Sequence, residues 1–316
     1  MIGYRSIYKD NSRPVAVPTP ALIIDGVDMI CADASLTFKY YLQKMPMPPS
    51  DYNYYNYFNL PVNIGDNVSG GAGLFYPSPN AGVLPKYPGY GGPTSNYNQP
   101  VKLGNNINNC CYMFYSQWEF NYPITVNYNL QDVNCFAMFG ECRKFNSPVT
   151  ISRCSNVSNM FYHAYNMNLP VLLGVDFPSH YTNAIVIKQI QNNINIARLF
   201  EGCNNYNQPI VLSAQVGNCA GIMVDCNQFS SNIYFTGNTY SSWLNVRSLL
   251  SGTNNSKRRN VFFNVVLNNK FNQTQYNAII NPGSTGVTWT TMTNGFYNST
   301  YNVYCYYNYD GVSDPF

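Results

Sequence analysis

NCFAMFGECRKFNSPVTI, residues Asn134 to Ile151, holds two different periods in one short stretch, and its neighbours repeat both. Set on its proline, Pro148, it aligns without gaps with copies set on Pro123, Pro170 and Pro209, and on Asn232 in a fifth copy. Upstream of these anchors stands a column of asparagines: Asn109, Asn134, Asn156, Asn195 and Asn218. Next to it come Cys110, Cys135, Val157, Ile196 and Cys219, and three residues further on Met113, Met138, Met160, Leu199 and Ile222. Phe114, Phe139, Phe161, Phe200 and Met223 follow directly. A small or soft column (Gln117, Cys142, Ala164, Cys203, Cys226) precedes a larger one (Phe120, Phe145, Met167, Tyr206, Phe229). One and three residues after the anchor the chain is apolar again, as at Ile124 and Val126 or Val149 and Ile151.

The residues after the anchor alternate as a short strand with one buried face does. Proline suits the first residue of such a strand because its φ is fixed and it lacks a donor. The Met-Phe pair and the small residue three positions on predict a tight helical or 3₁₀ turn on the opposite wall. An asparagine at a fixed corner can satisfy backbone groups that a sharp bend leaves unpaired. One copy buries too few apolar side chains to fold alone, so neighbours must cover both of its faces.

Segments such as Asn134 to Ile151 and NVSNMFYHAYNMNLPVLL (Asn156 to Leu173) resemble the BspA-type leucine-rich repeats, the Asn- and Met-Phe-rich surface-protein repeats of bacterial adhesins and some bacteriophage virion proteins. The resemblance covers the centre of the chain. It implies a β-rich solenoid of leucine-rich-repeat-like coils, each a short strand plus a helical or 3₁₀ turn in about 23 to 25 residues, within the range of repeat architectures. It specifies architecture more sharply than function, because solenoids present surfaces to many partners.

Three segments are expected: an N-terminal attachment or capping segment (1–50), the repeats with inserted loops near 69–95 and 174–193 (51–263), and a C-terminal β-rich cap (264–316). The first contains an apolar run, Ala21 to Val27, able to add a strand to a sheet, and one candidate helix, Asp33 to Met45. YFNLPVNI (Tyr57 to Ile64) and NYNQPVKL (Asn96 to Leu103) keep the strand signature, while the Gly- and Pro-rich residues between them read as loop. YTNAIVIKQI (Tyr181 to Ile190) alternates as an extra strand would. A sixth copy, slipped by about one residue, includes Asn245, Val246, Leu249, Leu250, Val261 and Phe263. Gly286 to Tyr309 reads as two strands turning near Asn294-Gly295, covering the exposed edge of the last coil.

Only 10% of the 316 residues are charged, while 29 are tyrosine, and the net charge of +3 is too small and scattered for a nucleic-acid partner. Of the ten cysteines, Cys135 with Cys142 and Cys219 with Cys226 are spaced by two repeat columns, and no Cys-x-x-Cys occurs, which favours buried free thiols over disulfides or metal. The start of the chain lacks the basic and apolar regions of a signal peptide, and no run is long and apolar enough for membrane insertion. The corresponding expectation is a protein made in a host cytoplasm and built into a virion.

No Gly-x-Ser-x-Gly or His-Glu-x-x-His occurs, and His163 and His180 are isolated, so no enzyme, cofactor or metal site is expected. The basic triplet Lys257-Arg258-Arg259 reads as a solvated loop. Aromatics off the core columns (Tyr112, Tyr115, Trp118, Tyr162 and Tyr165), with Tyr87 and Tyr90 of the first insertion, form the candidate binding set. Tyrosine with asparagine offers stacking plus adaptable hydrogen bonds to a host cell-surface glycan or protein; packing against loops or a neighbouring subunit in a homo-oligomer is the competing use. The resulting expectation is a structural phage virion protein, tail-, baseplate- or fibre-associated, held to other virion proteins by its N-terminal region. A capsid-decorating or head-fibre protein and an exported bacterial surface adhesin are the alternatives.

Overall fold

The computed structural model describes residues 22–24, 61–66, 68–76, 97–127, 132–174, 183–212, 216–235, 248–253, 258–263, 290–292 and 295–307. Strands and turns account for these residues, with no helix among them. The candidate helix at Asp33 to Met45, and Tyr87, Tyr90, His180 and Lys257, lie outside the described residues.

A first, three-stranded parallel sheet contains β1 (Leu22–Ile24), β2 (Val62–Ile64) and β3 (Val101–Lys102). The apolar run of the N-terminal segment thus does add a strand to a sheet. The second sheet follows the order β13-β14-β15-β12-β11-β9-β7-β8-β6-β4. It comprises β4 (Ile124–Val126), β6 (Val149–Asn156), β7 (Val171–Leu173), β8 (Ile185–Asn195), β9 (Ile210–Leu212), β11 (Asn232–Phe235), β12 (Arg259–Phe263), β13 (Thr290–Met292), β14 (Gly295–Asn298) and β15 (Val303–Tyr307). At the corners, β5 (Val133–Asn134) pairs with β6 and β10 (Val216–Asn218) with β8.

From β4 to β15 the pairing is parallel and keeps the anchor columns in register. Ile124, Val149, Ile185, Val171, Ile210, Ile233, Val261 and Cys305 stand beside one another across successive strands. We call this the strand wall. The slipped sixth copy takes its place through Val261 and Phe263, opposite Ile233 and Phe235. The C-terminal residues form three strands where the sequence suggested two: β13 and β14 pair antiparallel, as do β14 and β15, and β15 extends the parallel series beside β12. The extra strand expected within Tyr181 to Ile190 is the start of β8. It enters the wall between β6 and β7, out of sequence order.

The opposite side, the turn wall, is built differently from the helical or 3₁₀ turn expected. In the second copy the N–H groups of Cys135, Ala137, Phe139 and Glu141 donate to the carbonyls of Asn156, Ser158, Met160 and Tyr162 in the third. Those of Met138, Gly140 and Cys142 turn back to Cys135, Ala137 and Phe139. A helix aims its N–H groups at its own preceding turn; here alternate groups are committed to the next copy. Two left-handed residues make the alternation possible, Ala137 (φ 50) and Glu141 (φ 60). The same two columns hold Tyr112 and Ser116, Asn159 and His163, Arg198 and Gly202, Gly221 and Asp225, and Ser248 and Gly252, all at positive φ.

The asparagines at the corners act as the bend requires. Each Oδ1 of Asn109, Asn134, Asn156, Asn195 and Asn218 accepts the N–H two residues on, at 3.0–3.2 Å. A second asparagine column, two residues before each anchor, ties copy to copy. The N–H groups of Asn121, Asn146, Asn168, Asn207 and Ser230 each donate to the side-chain oxygen one copy earlier, at 2.7–3.0 Å.

Between the walls the rings stack. Phe75, Phe114, Phe139, Phe161 and Phe200 form one file with centroids 4.9–5.6 Å apart and planes within 8°. Phe120, Phe145 and Tyr206 lean on that file at 4.1–4.3 Å. The small or soft column does more than fill space. The thiols of Cys142, Cys203 and Cys226 each donate to the carbonyl of the file phenylalanine one copy back, at 2.9 Å, and the Gln117 amide does so to Phe75. Every described cysteine is free and all but Cys111 are buried; burial pushes the Cys142 and Cys203 thiols well above their ordinary range.

Phe75 belongs to a copy inside the stretch read as loop. Gly71, Gly73 and Phe75 donate to Asn109, Cys111 and Met113, so residues 70–76 continue the turn wall one copy towards the N-terminus. The basic triplet also departs from expectation. Arg259 lies in β12 at 1% exposure and donates to Thr253 and to the Tyr301 carbonyl. Burial pulls its guanidinium down to about 10.

Candidate functional site

The outer surface of the turn wall carries what the repeat columns leave over, and the stacking puts like positions side by side. Five residues before each anchor stand Trp118, Arg143 and Tyr165 in three successive copies. The Arg143 guanidinium lies 3.7 Å from the centre of the Trp118 ring and 5.5 Å from that of Tyr165. A cation over aromatic faces is held by their quadrupoles, and its planar fork keeps donors for a further partner. Arg143 keeps 40% of its side chain exposed and reaches Glu141 at 3.8 Å.

Glu141 and His163 occupy one left-handed column in neighbouring copies, with His163 Nδ1 3.0 Å from Glu141 Oε1. The His163 ring stacks on Tyr162 at 3.9 Å and faces Tyr165 at 5.7 Å. Below it in the next copy is Gly202, φ +76, where a Cβ would collide with the ring. That glycine is what lets the imidazole lie flat on the wall. A carboxylate-held histidine is two thirds of a hydrolytic triad, but no hydroxyl or thiol bonds the His163 ring among the described residues.

Glu201, beside Gly202, pairs with Arg198 at 3.3 Å, off the hydrogen-bonding direction, so its Oε2 has no hydrogen-bond donor. Burial raises its pKa, with Arg198 and His163 opposing. Lys144 and Glu119 add an exposed ion pair at 2.6 Å. The surface therefore offers flat rings, one stacked guanidinium and paired charges, an arrangement fitted to gripping a polar ligand by its faces and edges.

The candidate aromatics divide. Trp118, Tyr162 and Tyr165 are half-buried and gather around Arg143 and His163. Tyr115 is 2% exposed and packs with Tyr76 and Tyr112. Its ring stands 2.6 Å from where a Cβ on Gly140 would fall, and burial raises its phenol. Tyr112 belongs to this second group, edge-on to Phe136 at 5.1 Å. Arg143, Glu141 and His163 were not in the sequence-based set. The signal that finds them is the column alignment applied to non-core positions, which sets Arg143 between Trp118 and Tyr165.

A protein-family model described as Mycoplasma protein of unknown function, DUF285, matches residues 95–184. This span holds the first three clear copies and the Trp118–Arg143–Tyr165 stack, and the match is compatible with a BspA-type repeat family. The chain matches no curated protein and no solved structure.

Proposed function

We propose that this chain is a non-enzymatic solenoid of the BspA type, a leucine-rich-repeat-like surface protein that binds a glycan or protein face through its turn wall. The observation that carries the proposal is the Trp118–Arg143–Tyr165 column. It supplies half-buried aromatic rings and a charge-assisted donor on a backbone held by hydrogen bonds from both neighbouring copies. Preorganised planar groups of this kind recognise sugars and polar protein surfaces at low entropic cost.

In this proposal the repeats belong to a phage virion protein of the tail, baseplate or fibre, attached through the N-terminal region, with a capsid-decorating or head-fibre role as the nearest variant. A second setting, an exported bacterial surface adhesin, is favoured by the Mycoplasma description of the matching family. Immunogold labelling of purified particles separates them: label on the tail or head supports the virion setting, and its absence from particles overturns it. Binding itself is tested on the full chain with host-cell envelopes and a glycan array. Trp118→Ala and Arg143→Ala should each weaken retention about tenfold, the effect of losing roughly 1.4 kcal/mol; unchanged retention by both overturns the turn-wall site.

A further inference from the structure

The junction that precedes the first clear copy is closed on one wall and open on the other. On the turn wall, residues 71–75 donate to residues 109–113 as at every other step. On the strand wall, β3 and β4 belong to separate sheets, and no backbone hydrogen bond joins them. Val62 N–H donates to the Pro100 carbonyl, and Ile124 N–H to that of Pro148, but the corresponding bond from Val101 to Pro123 is not made. In a parallel ladder alternate residues face opposite neighbours, so Val101 on β3 and Thr125 on β4 turn backbone groups into the gap. Such groups are costly to leave unpaired and form a template for another strand.

A groove of about 550 Å³ runs along this break, between Val101, Lys102 and Leu103 on one side and Pro123, Thr125 and Asn127 on the other. Asp66 offsets the charge of Lys102, and Asn63 and Asn105 add amides, so the lining favours an uncharged ligand.

The chain contains a filled version of the same arrangement. Between the second and third copies the turn wall again passes directly from one copy to the next, while Ile185–Ile187 of β8 sits as an extra rung between β6 and β7. Val149 N–H donates to the Ala184 carbonyl on one side of it, and Ile185 N–H to that of Pro170 on the other, at 3.3 and 2.9 Å. Ile185 and Ile187 point into the core and are buried.

We propose that the β3–β4 groove is a strand-acceptor site that takes an extended, uncharged peptide of a partner protein as an additional parallel rung. Apolar, β-branched residues at alternate positions would face the core, as Ile185 and Ile187 do, while the peptide's amides pair with β3 and β4. Cα atoms of the two strands still approach within 8 Å, so seating a peptide widens the gap towards twice the interstrand spacing of about 4.8 Å.

The test uses the full chain and a fluorescein-labelled peptide copying Asn183 to Gln189 with glutamine in place of Lys188, so that the segment is uncharged, followed by fluorescence anisotropy. Saturable one-to-one binding is expected. N-methylation of the peptide amides equivalent to Ile185 and Ile187 should weaken it at least tenfold, with the protein itself untouched. Thr125→Pro, which deletes a groove-facing donor, should do the same without shifting the thermal melt. No saturable binding, or equal affinity for the methylated peptide, overturns the proposal. Self-association of the chain that Thr125→Pro abolishes would overturn it in favour of a second copy as occupant.

Discussion

The turn wall carries the same hydrogen-bond ladder from Gly71 to Asp225, whereas the strand wall takes in a rung at β8 and opens between β3 and β4. Both walls belong to the same copies. On the turn wall alternate amides are tied forward, corner asparagines absorb the strays and the phenylalanine file fills the space behind. A missing or additional residue there would put every column out of step. The strand wall has only short segments to align, so a rung can be added or omitted without disturbing neighbouring turns. Register is set by one wall and variation is accommodated by the other.

If so, damage to the turn wall should spread while strand-wall changes stay local. The largest effect is expected for Phe139→Ala. This ring is fully buried and touches Phe114, Phe145 and Phe161 at 4.3–5.6 Å, so its loss should cost about 3 to 5 kcal/mol. Chemical denaturation would measure it, and an unchanged midpoint would refute the file as the core.

Gly202→Ala comes next, combining roughly 1 to 2 kcal/mol of left-handed strain with displacement of the His163 ring. In the His163→Ala background the collision is gone, so the glycine substitution should cost less there. Equal costs in the two backgrounds would mean that the ring does not lie on Gly202.

Asn146→Ala removes the acceptor for Asn168 N–H, 2.9 Å away. A loss of about 1 kcal/mol is expected, read as faster hydrogen exchange at Asn168 than at strand-wall amides.

The smallest change expected among the neutral substitutions is Cys142→Ala, which removes the thiol donor to Phe114. About 0.5 to 1 kcal/mol should be lost. Cys142→Ser, which keeps a donor, should recover part of it; no difference between the two variants would return this column to simple filler.

A pH effect should be smaller still. Burial raises Glu201 in the folded state, so its contribution is most favourable below the unfolded carboxylate pKa and is lost as pH rises through the folded one. Glu201→Gln should flatten the stability profile above pH 4.5, the ordinary value for this group; an unchanged slope there would place the carboxylate in water.

The columns, the asparagine corners, the strand alternation and the slipped sixth copy were legible in the sequence, because each has a residue type that a single physical demand selects; the alternation of Tyr181 to Ile190 showed a strand, but not its place between β6 and β7. The left-handed positions were not. They hold Tyr112, Ala137, Arg198, Glu141 and His163 as readily as glycine, since the ladder on both sides overrides intrinsic preference. Residues 70–76 were hidden because a glycine stands where the corner asparagine should be, and because the rest of that copy resumes only at Tyr97. Arg259 was misread because charge usually means solvent, and only the packed corner near Thr253 and Tyr301 explains its burial. At the candidate site, the tyrosines and Trp118 were visible as surplus aromatics, but the cation that joins two of them was not.

The turn-wall ladder also has a direction. In its four forward columns every N–H points towards the following copy and every paired carbonyl towards the preceding one. Peptide dipoles aligned in this way add along their axis, as they do in a helix. The wall is therefore polar, with amide hydrogens facing one end and carbonyl oxygens the other. Two such walls brought end to end attract only head to tail, because a two-fold contact through these ends would set like partial charges against each other. Any growth through the turn wall would be unidirectional, the kind of contact that builds rings or filaments rather than closed pairs.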